Sequence, residues 1–230
     1  MMLSVAIPTY EAAGKCLYFL DKQFNLFRSQ TFKDFEIVIS DHSRGKEIED
    51  FCKRVSDLNV KYVKNTENIG SCSSNTNNAI RHSSGSIIKI IFQDDFLWSA
   101  QSLEIIVKSF DASTDWMINA CQHTSDDGVT FNREFYPYYN HKIHLGFNTL
   151  SCPSSLTIRN REDKISFDER LNWLMDVDYY KRLYEKFGSP KILNEIVTVN
   201  RIWGNQLTNS VSEETKNKEL SLMIRKFGQQ

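Results

Sequence analysis

Proline and glycine are scarce in this chain, 4 and 9 of 230 residues. That excludes collagen-like and Pro/Gly-rich low-complexity classes, and aromatics at 12% argue against disorder. Cysteine is sparse too. Cys16, Cys52, Cys72, Cys121 and Cys152 are odd in number, widely spaced and without a CxxC pair. Neither a zinc ribbon nor a disulfide framework fits that pattern; reduced thiols in the cytoplasm are the simplest reading. An excess of one charge is also missing: 28 Lys+Arg against 29 Asp+Glu gives a net charge of −1. A dedicated nucleic-acid binder would carry a basic surplus. No apolar run approaches the roughly 20 residues of a bilayer span; IIKIIF (Ile87–Phe92) is among the longest. The start, MMLSVAIPTYEAAGK, lacks a basic region followed by a long apolar core, so no signal peptide is expected. Peripheral contact with the cytoplasmic membrane face is the only membrane association left open.

What is present is an ordinary globular composition, 40% hydrophobic and 25% charged. The first part alternates. LSVAI (Leu3–Ile7) reads as a buried strand. Residues 13–30 follow as a helix, with Leu17, Leu20, Phe24 and Phe27 at spacings of three and four. Phe35–Ile39 is a second strand, Lys46–Val55 a helix, Val60–Val63 a third strand, 71–83 a helix despite its Ser and Asn, and Ile87–Phe92 a fourth strand. Such alternation predicts βαβ units and a parallel sheet, and the unbroken apolar strands predict helices on both faces. Beyond residue 110 the pattern turns irregular, and 123–152 reads as a long insertion over the site. Residues 172–187 form a helix ending at Gly188, Ile196–Val199 a late strand, and Glu213–Phe227 an amphipathic helix. No repeat or linker divides the chain, so one domain is expected.

In such a sheet ligands bind at the carboxyl ends of the strands. Those ends read Pro8-Thr9-Tyr10-Glu11, Ser40-Asp41-His42-Ser43, Asn65 to Gly70, and Gln93-Asp94-Asp95. All are polar or acidic, which predicts a polar ligand there. Adjacent carboxylates at a strand end repel unless compensated, and Mg²⁺ or Mn²⁺ between carboxylate and diphosphate would do so. The doublet equally suits a solvated turn or a helix N-cap.

The segments VAIPTYE, EIVISDHS, ENIGSCSSNTNNAIRHSSGSIIKIIFQDD and LNWLMDVDYYKRL, in this order and spacing, resemble the family 2 glycosyltransferases of the GT-A fold over about residues 3–210. The resemblance implies one α/β domain with a central, mostly parallel sheet: a nucleotide-binding half over 1–95, an acceptor half over 96–210 and a C-terminal helix over 211–230. It implies transfer of a sugar from a nucleoside diphosphate donor to a hydroxyl acceptor (a glycan, a lipid-linked or another acceptor) with inversion. It further implies that Pro8, Thr9, Tyr10 and Glu11 border the base, and that Asp41 accepts from the base NH. Asn68, Gly70 and Asn77 would lie near the nucleotide. Asp95 would ligate the metal, with Asp94 on the ribose or in the metal shell; the first Asp of the longer motif is Phe92 here. Asp176 falls where the catalytic base sits, with Asp178 two residues on and the family's preceding Glu replaced by Met175. Two such neighbours do not share a helix face, so one is the base and the other a brace. NRIWGNQLT resembles the RxHxxQxS loop through Arg201, Gln206 and Thr208, with Trp203 in place of its His. Arg201 would neutralise the departing diphosphate, and Ser154 would contact acceptor or donor phosphate.

Other features stay open on the residues alone. His141 and His144 have no carboxylate or cysteine close in sequence and read as loop or acceptor-cleft residues. Phe135, Tyr136, Tyr138 and Tyr139 suit either a sugar-stacking surface or a lid packed on the core. Cys152 has no evident histidine partner. A nucleotidyltransferase would share the α/β half but carry a Gly-rich basic loop after the first strand, where only Gly14 and Lys15 stand. A non-catalytic sugar- or nucleotide-binding module is the other alternative, kept open by Phe92, Met175 and Trp203.

Overall fold

The computed structural model describes residues 2–11, 14–204 and 206–228, and only the backbone at Leu207 and Ser210. Ala13, the expected start of the first helix, and Asn205 of the NRIWGNQLT segment lie outside the described residues. Strand β1 (Leu3–Thr9) is buried at every position. It is followed by α1 (Cys16–Ser29), β2 (Phe35–Asp41), α2 (Glu47–Arg54), β3 (Val60–Lys64), α3 (Cys72–Arg81) and β4 (Ile87–Ile90). β1 pairs in parallel with β2 and β4, and β2 with β3, as the alternation predicts. The chain continues through β5 (Phe96–Leu97), α4 (Ser102–Ser109), β6 (Trp116–Thr124), β7 (Arg133–Phe135), β8 (Leu156–Arg159), α5 (Met175–Phe187), β9 (Lys191–Arg201), α6 (Leu207–Ser210) and α7 (Glu213–Phe227). One sheet runs through both halves in the order β3-β2-β1-β4-β8-β6-β9-β5, with β7 attached to β6. β8 enters antiparallel between β4 and β6, whereas β6 and β9 are parallel.

The side-chain period of two splits the strands between two cores. Leu3, Val5 and Ile7 pack with Leu20, Phe24 and Phe27 of α1, Ile48 of α2 and Ile106 of α4. Ala6, Ile88 and Ile90 face Ala79 and Ile80 of α3, Val177 and Tyr180 of α5, and Met223 of α7. No helix among the described residues is long and apolar enough to cross a membrane.

Helix α3 has poor intrinsic propensity, since Ser and Asn compete for backbone partners. It forms because those side chains have better partners in the fold. Ser71 caps it by accepting from the Ser74 N–H. Asn75 donates to the Thr9 carbonyl at 2.9 Å and accepts from Ser40 Oγ at 2.6 Å. Asn78 donates to the same hydroxyl at 2.8 Å. Asn77 exchanges two bonds with the backbone of Phe167, at 3.0 and 2.7 Å. The turn after α3 needs Gly85, because a Cβ there would stand 2.6 Å from the Ser4 nitrogen.

Helix α5 begins at Met175 rather than near 172. The three residues before it turn their N–H groups onto one carboxylate: Glu219 of α7 accepts from Asn172, Trp173 and Leu174 at 3.0, 3.0 and 2.8 Å. Asp176 therefore sits in the first turn of α5, where a carboxylate complements the helix dipole.

Candidate active site

The ends of β1, β4 and β9, the 148–153 loop and the first turn of α5 enclose a cavity of about 740 Å³. Of the residues singled out in the sequence, Pro8, Thr9, Tyr10, Gly70, Asp94, Asp95, Asp176, Arg201, Trp203 and Gln206 line it. Tyr10 is held by Gln93, whose side chain accepts from the Tyr10 N–H at 2.8 Å and donates to its carbonyl at 3.2 Å.

Asp176 reaches the cavity from α5 and is half-buried. Its Oδ2 accepts from Asn148 Nδ2 at 2.6 Å and its Oδ1 from the Val177 N–H at 2.8 Å. Burial pushes its pKa up to about 7, against these two donors. Asp178 points elsewhere. It is fully buried, bonded to Arg182 Nε at 2.7 Å and paired with Lys226 of α7. Of the two, Asp178 is thus the one built into the packing of α5 on α7.

The two carboxylates after β4 differ in the same way. Asp95 turns inward: Oδ1 accepts from the Arg201 N–H at 2.9 Å, and Oδ2 from Ser154 Oγ at 2.5 Å. Burial, and then the charge of Asp94, pushes its pKa up to about 7. Asp94 accepts from Trp203 Nε1 through Oδ2 at 2.8 Å, and its Oδ1 has no hydrogen-bond donor among the described residues. Trp203, standing in for the expected His, thus donates to an acid instead of offering a lone pair to a cation. Arg201 donates Nε to the Asp94 carbonyl at 2.7 Å, pairs with Asp127, and lies over Phe19 and Phe96 at 4.5 and 5.0 Å. Gln206 donates to the Arg201 carbonyl at 2.7 Å.

Among the described residues no three His, Cys, Asp or Glu side chains gather as a metal-binding group. A small hard cation needs fewer, since Mg²⁺ is held by one or two carboxylates plus substrate phosphates and water. Oδ1 of Asp94 fits that role. Asp95, the ligand expected from the sequence, has both oxygens committed to protein donors.

Five expected contacts are not at the cavity wall. Asp41 is fully buried behind it, bonded to the Ser43 N–H at 2.8 Å, Tyr62 Oη at 2.8 Å and Lys64 Nζ at 3.1 Å. Glu11 caps the approach to α1, accepting from the Gly14 and Cys16 N–H groups at 2.6 and 2.9 Å. Asn68 donates to Glu169 at 2.6 Å, Asn77 is the α3 tie to Phe167, and Ser154 is the clamp on Asp95. His141 packs edge-on to Tyr184, and His144 is buried beside Phe227, so neither lines the cavity. Of the aromatic tract only Phe135 reaches it, while Tyr139 stacks on Tyr184. Cys152 lies on the wall, its thiol pushed well up by burial and donating to Asp95 at 3.4 Å. The wall also contains His42, Gln93, His123, Arg133, Asn148 and Asn200, none singled out as site residues from the sequence. Gln93, next to the acid doublet, carried a signal; Asn148 and Arg133 sit in the irregular stretch and carried none.

A family model described as "Glycosyl transferase family 2" matches residues 4–184. No curated protein sequence matches the chain. Among solved structures, S. aureus TarS 1-349 superposes with a TM-score of 0.73 at 19% identity, covering 99% of this chain and 64% of that one. The same protein in complex with UDP-GlcNAc gives a TM-score of 0.68 at 18% identity, covering 97% of this chain and 66% of that one. The mannosyltransferase PcManGT from Pyrobaculum calidifontis in complex with GDP-Man and Mn²⁺ gives 0.61 at 15% identity, over 88% of this chain and 57% of that one. The chain therefore spans less than two thirds of the length of each of these three, and at such identities the likeness shows the fold alone.

Proposed function

Because the chain belongs to glycosyl transferase family 2, we propose that it moves a sugar from a nucleoside diphosphate sugar to the hydroxyl of a glycan, lipid-linked or other acceptor, inverting the anomeric carbon. Family membership sets the nucleotidyltransferase reading aside. The observation that carries the proposal is one cavity with a half-buried, hydrogen-bonded carboxylate, Asp176, on one wall and the Asp94–Arg201 pair on another. A single displacement needs both. Asp176 takes the acceptor proton as the oxygen attacks, and the sugar–phosphate bond breaks with its electron pair leaving on the diphosphate. Arg201, held in place by the Asp94 carbonyl, presents a guanidinium to that charge. Tyr10, Pro8, Thr9 and Gly70 offer a wall for the base and ribose. The complexes of the structural neighbours with UDP-GlcNAc and with GDP-Man support a donor of this class.

Asp94 would hold Mg²⁺ or Mn²⁺ through Oδ1, and a cation bound there would add positive charge at the leaving diphosphate. The odd, widely spaced cysteines support a reducing, cytoplasmic setting for the reaction, peripheral to the membrane at most.

Asp176→Asn tests the reading, because it keeps shape and removes basicity. In steady-state assays kcat should fall by about 10²- to 10⁴-fold, the usual range for a lost general base. Asp176 acts only when ionised. With its pKa near 7, the parent's kcat should rise as pH increases through that value, and the Asn variant should lack this limb. Equal kcat for parent and variant would exclude Asp176 as the base.

A further inference from the structure

Successive residues of β9 serve opposite sides of the cavity, as strand geometry requires. Arg201 belongs with Asp94. Asn200, one residue earlier, donates to Ser151 Oγ at 2.9 Å. The Ser151 carbonyl accepts from Asn148, which also holds Asp176. Asn200 is in register with His123 of β6, and His123 with Arg133 of β7. The proposed base thus shares its side of the cavity with one further cation, Arg133.

Arg133 is exposed yet fixed. Its guanidinium donates to His123 Nε2 at 2.9 Å. A guanidinium has no lone pair to accept with, so Nε2 is the acceptor and the ring proton sits on Nδ1. Nδ1 then donates to the Arg133 carbonyl at 3.0 Å, closing a two-bond clasp. The imidazole is nearly buried, and burial followed by the adjacent guanidinium charge holds its pKa down, so it braces without adding charge. Gln122 accepts from the Arg133 N–H at 3.1 Å and fixes the backbone. No salt bridge to a carboxylate is found for Arg133 among the described residues, whereas Arg201, the other arginine on the cavity wall, pairs with Asp127. A clasped, uncompensated guanidinium on a cavity wall is a preformed oxyanion receptor.

Resting on the transfer reading above, we propose that Arg133 makes the acceptor site selective for an acceptor that carries an oxyanion, a phosphate ester or a sugar carboxylate, near the attacked hydroxyl. Phe135, two residues along on the same face of β7, also lines the cavity and offers an apolar surface to the acceptor's ring or chain.

The test pairs each anion with its neutral twin: sn-glycerol 1-phosphate against glycerol, and methyl β-D-glucuronide against methyl β-D-glucoside. Binding to the full chain is followed by ligand-observed NMR titration, with and without UDP or GDP. The parent should bind at least one anion about 10- to 100-fold more tightly than its twin, the size of one charge-assisted hydrogen bond. The anion that wins identifies phosphate or carboxylate as the source. Arg133→Gln should abolish the gap and Arg133→Lys should retain part of it, with melting temperatures confirming that both variants fold. The proposal is overturned if neither anion outbinds its twin in the parent. It is also overturned if Arg133→Gln leaves the gap intact, which would put the anion at Arg201. Failure of any nucleotide to bind would count against sugar transfer, while the comparison of anions with their twins would still decide the role of Arg133.

Discussion

Asp95 gives both carboxylate oxygens to protein donors, whereas Oδ1 of Asp94 has no hydrogen-bond donor among the described residues. Their consequences on substitution should therefore diverge. Asp95→Ala leaves the Arg201 N–H and the Ser154 hydroxyl without their acceptor. That should cost about 2–4 kcal/mol of folding stability, from orphaned buried donors, read as a lowered urea midpoint. Asp94→Asn removes the proposed cation contact and should abolish any Mn²⁺ enhancement of UDP or GDP binding in a thermal shift titration, with the apo melting temperature close to the parent's. The doublet itself was legible in the sequence, as was its place at a strand end. Which acid keeps an oxygen uncommitted was not, because that depends on Ser154 from 59 residues away and on the backbone of β9. Asp41 illustrates the same limit: its position in the turn after β2 was readable, but not that Tyr62 and Lys64 of β3 occupy it.

Helix α3 holds the first strand end in place from beneath, with Asn75 joined to both Thr9 and Ser40. Asn75→Ala would leave the buried Ser40 hydroxyl without an acceptor and the Thr9 carbonyl with the His42 N–H as its remaining donor. It should cost about 1–3 kcal/mol, seen as a lower denaturation midpoint at unchanged slope. Elements with helical or unbroken apolar periods were legible: α1, α2, α7 and the parallel strands lie within a few residues of expectation. β6 was not recognised, although it is buried over all nine residues. Asn119, Gln122 and His123 break its apolar pattern, and they are tolerated inside because each has partners, as Asn119 does with Lys89 and Thr198. β9 looked shorter than it is for the related reason that Asn194 and Glu195 in its first half are exposed.

At the scale of the molecule, α7 joins the second core through Met223, receives the backbone before α5 on Glu219, and pairs Lys226 with Asp178. Deleting residues 212–230 would strip three N–H groups of their acceptor and Asp178 of one cation. The expected loss exceeds about 3 kcal/mol, from three backbone N–H groups left without an acceptor at about 1 kcal/mol or more each, against a typical total of about 5–15 kcal/mol. Near-UV circular dichroism should then show no cooperative melt, although residues 4–184, the matched family segment, remain complete. The tail was readable as an amphipathic helix. Its attachment was not, since one Glu among many charged residues gives no sign of where it docks.

None of the α7 residues lines the cavity, yet Glu219 fixes the backbone that leads into Asp176. Aim and choice are thus handled by separate parts of the chain. The carboxylate proposed to take the proton is set from behind, by a helix that does not line the cavity. The irregular stretch from 123 to 152 contributes His123, Arg133, Phe135 and Asn148 to the wall and contains neither α5 nor α7. The same stretch also packs on those helices, through Tyr139 and His141 against Tyr184 of α5 and His144 against Phe227 of α7, but these three residues lie off the wall. A scaffold divided in this way can diversify what it accepts while keeping how it reacts.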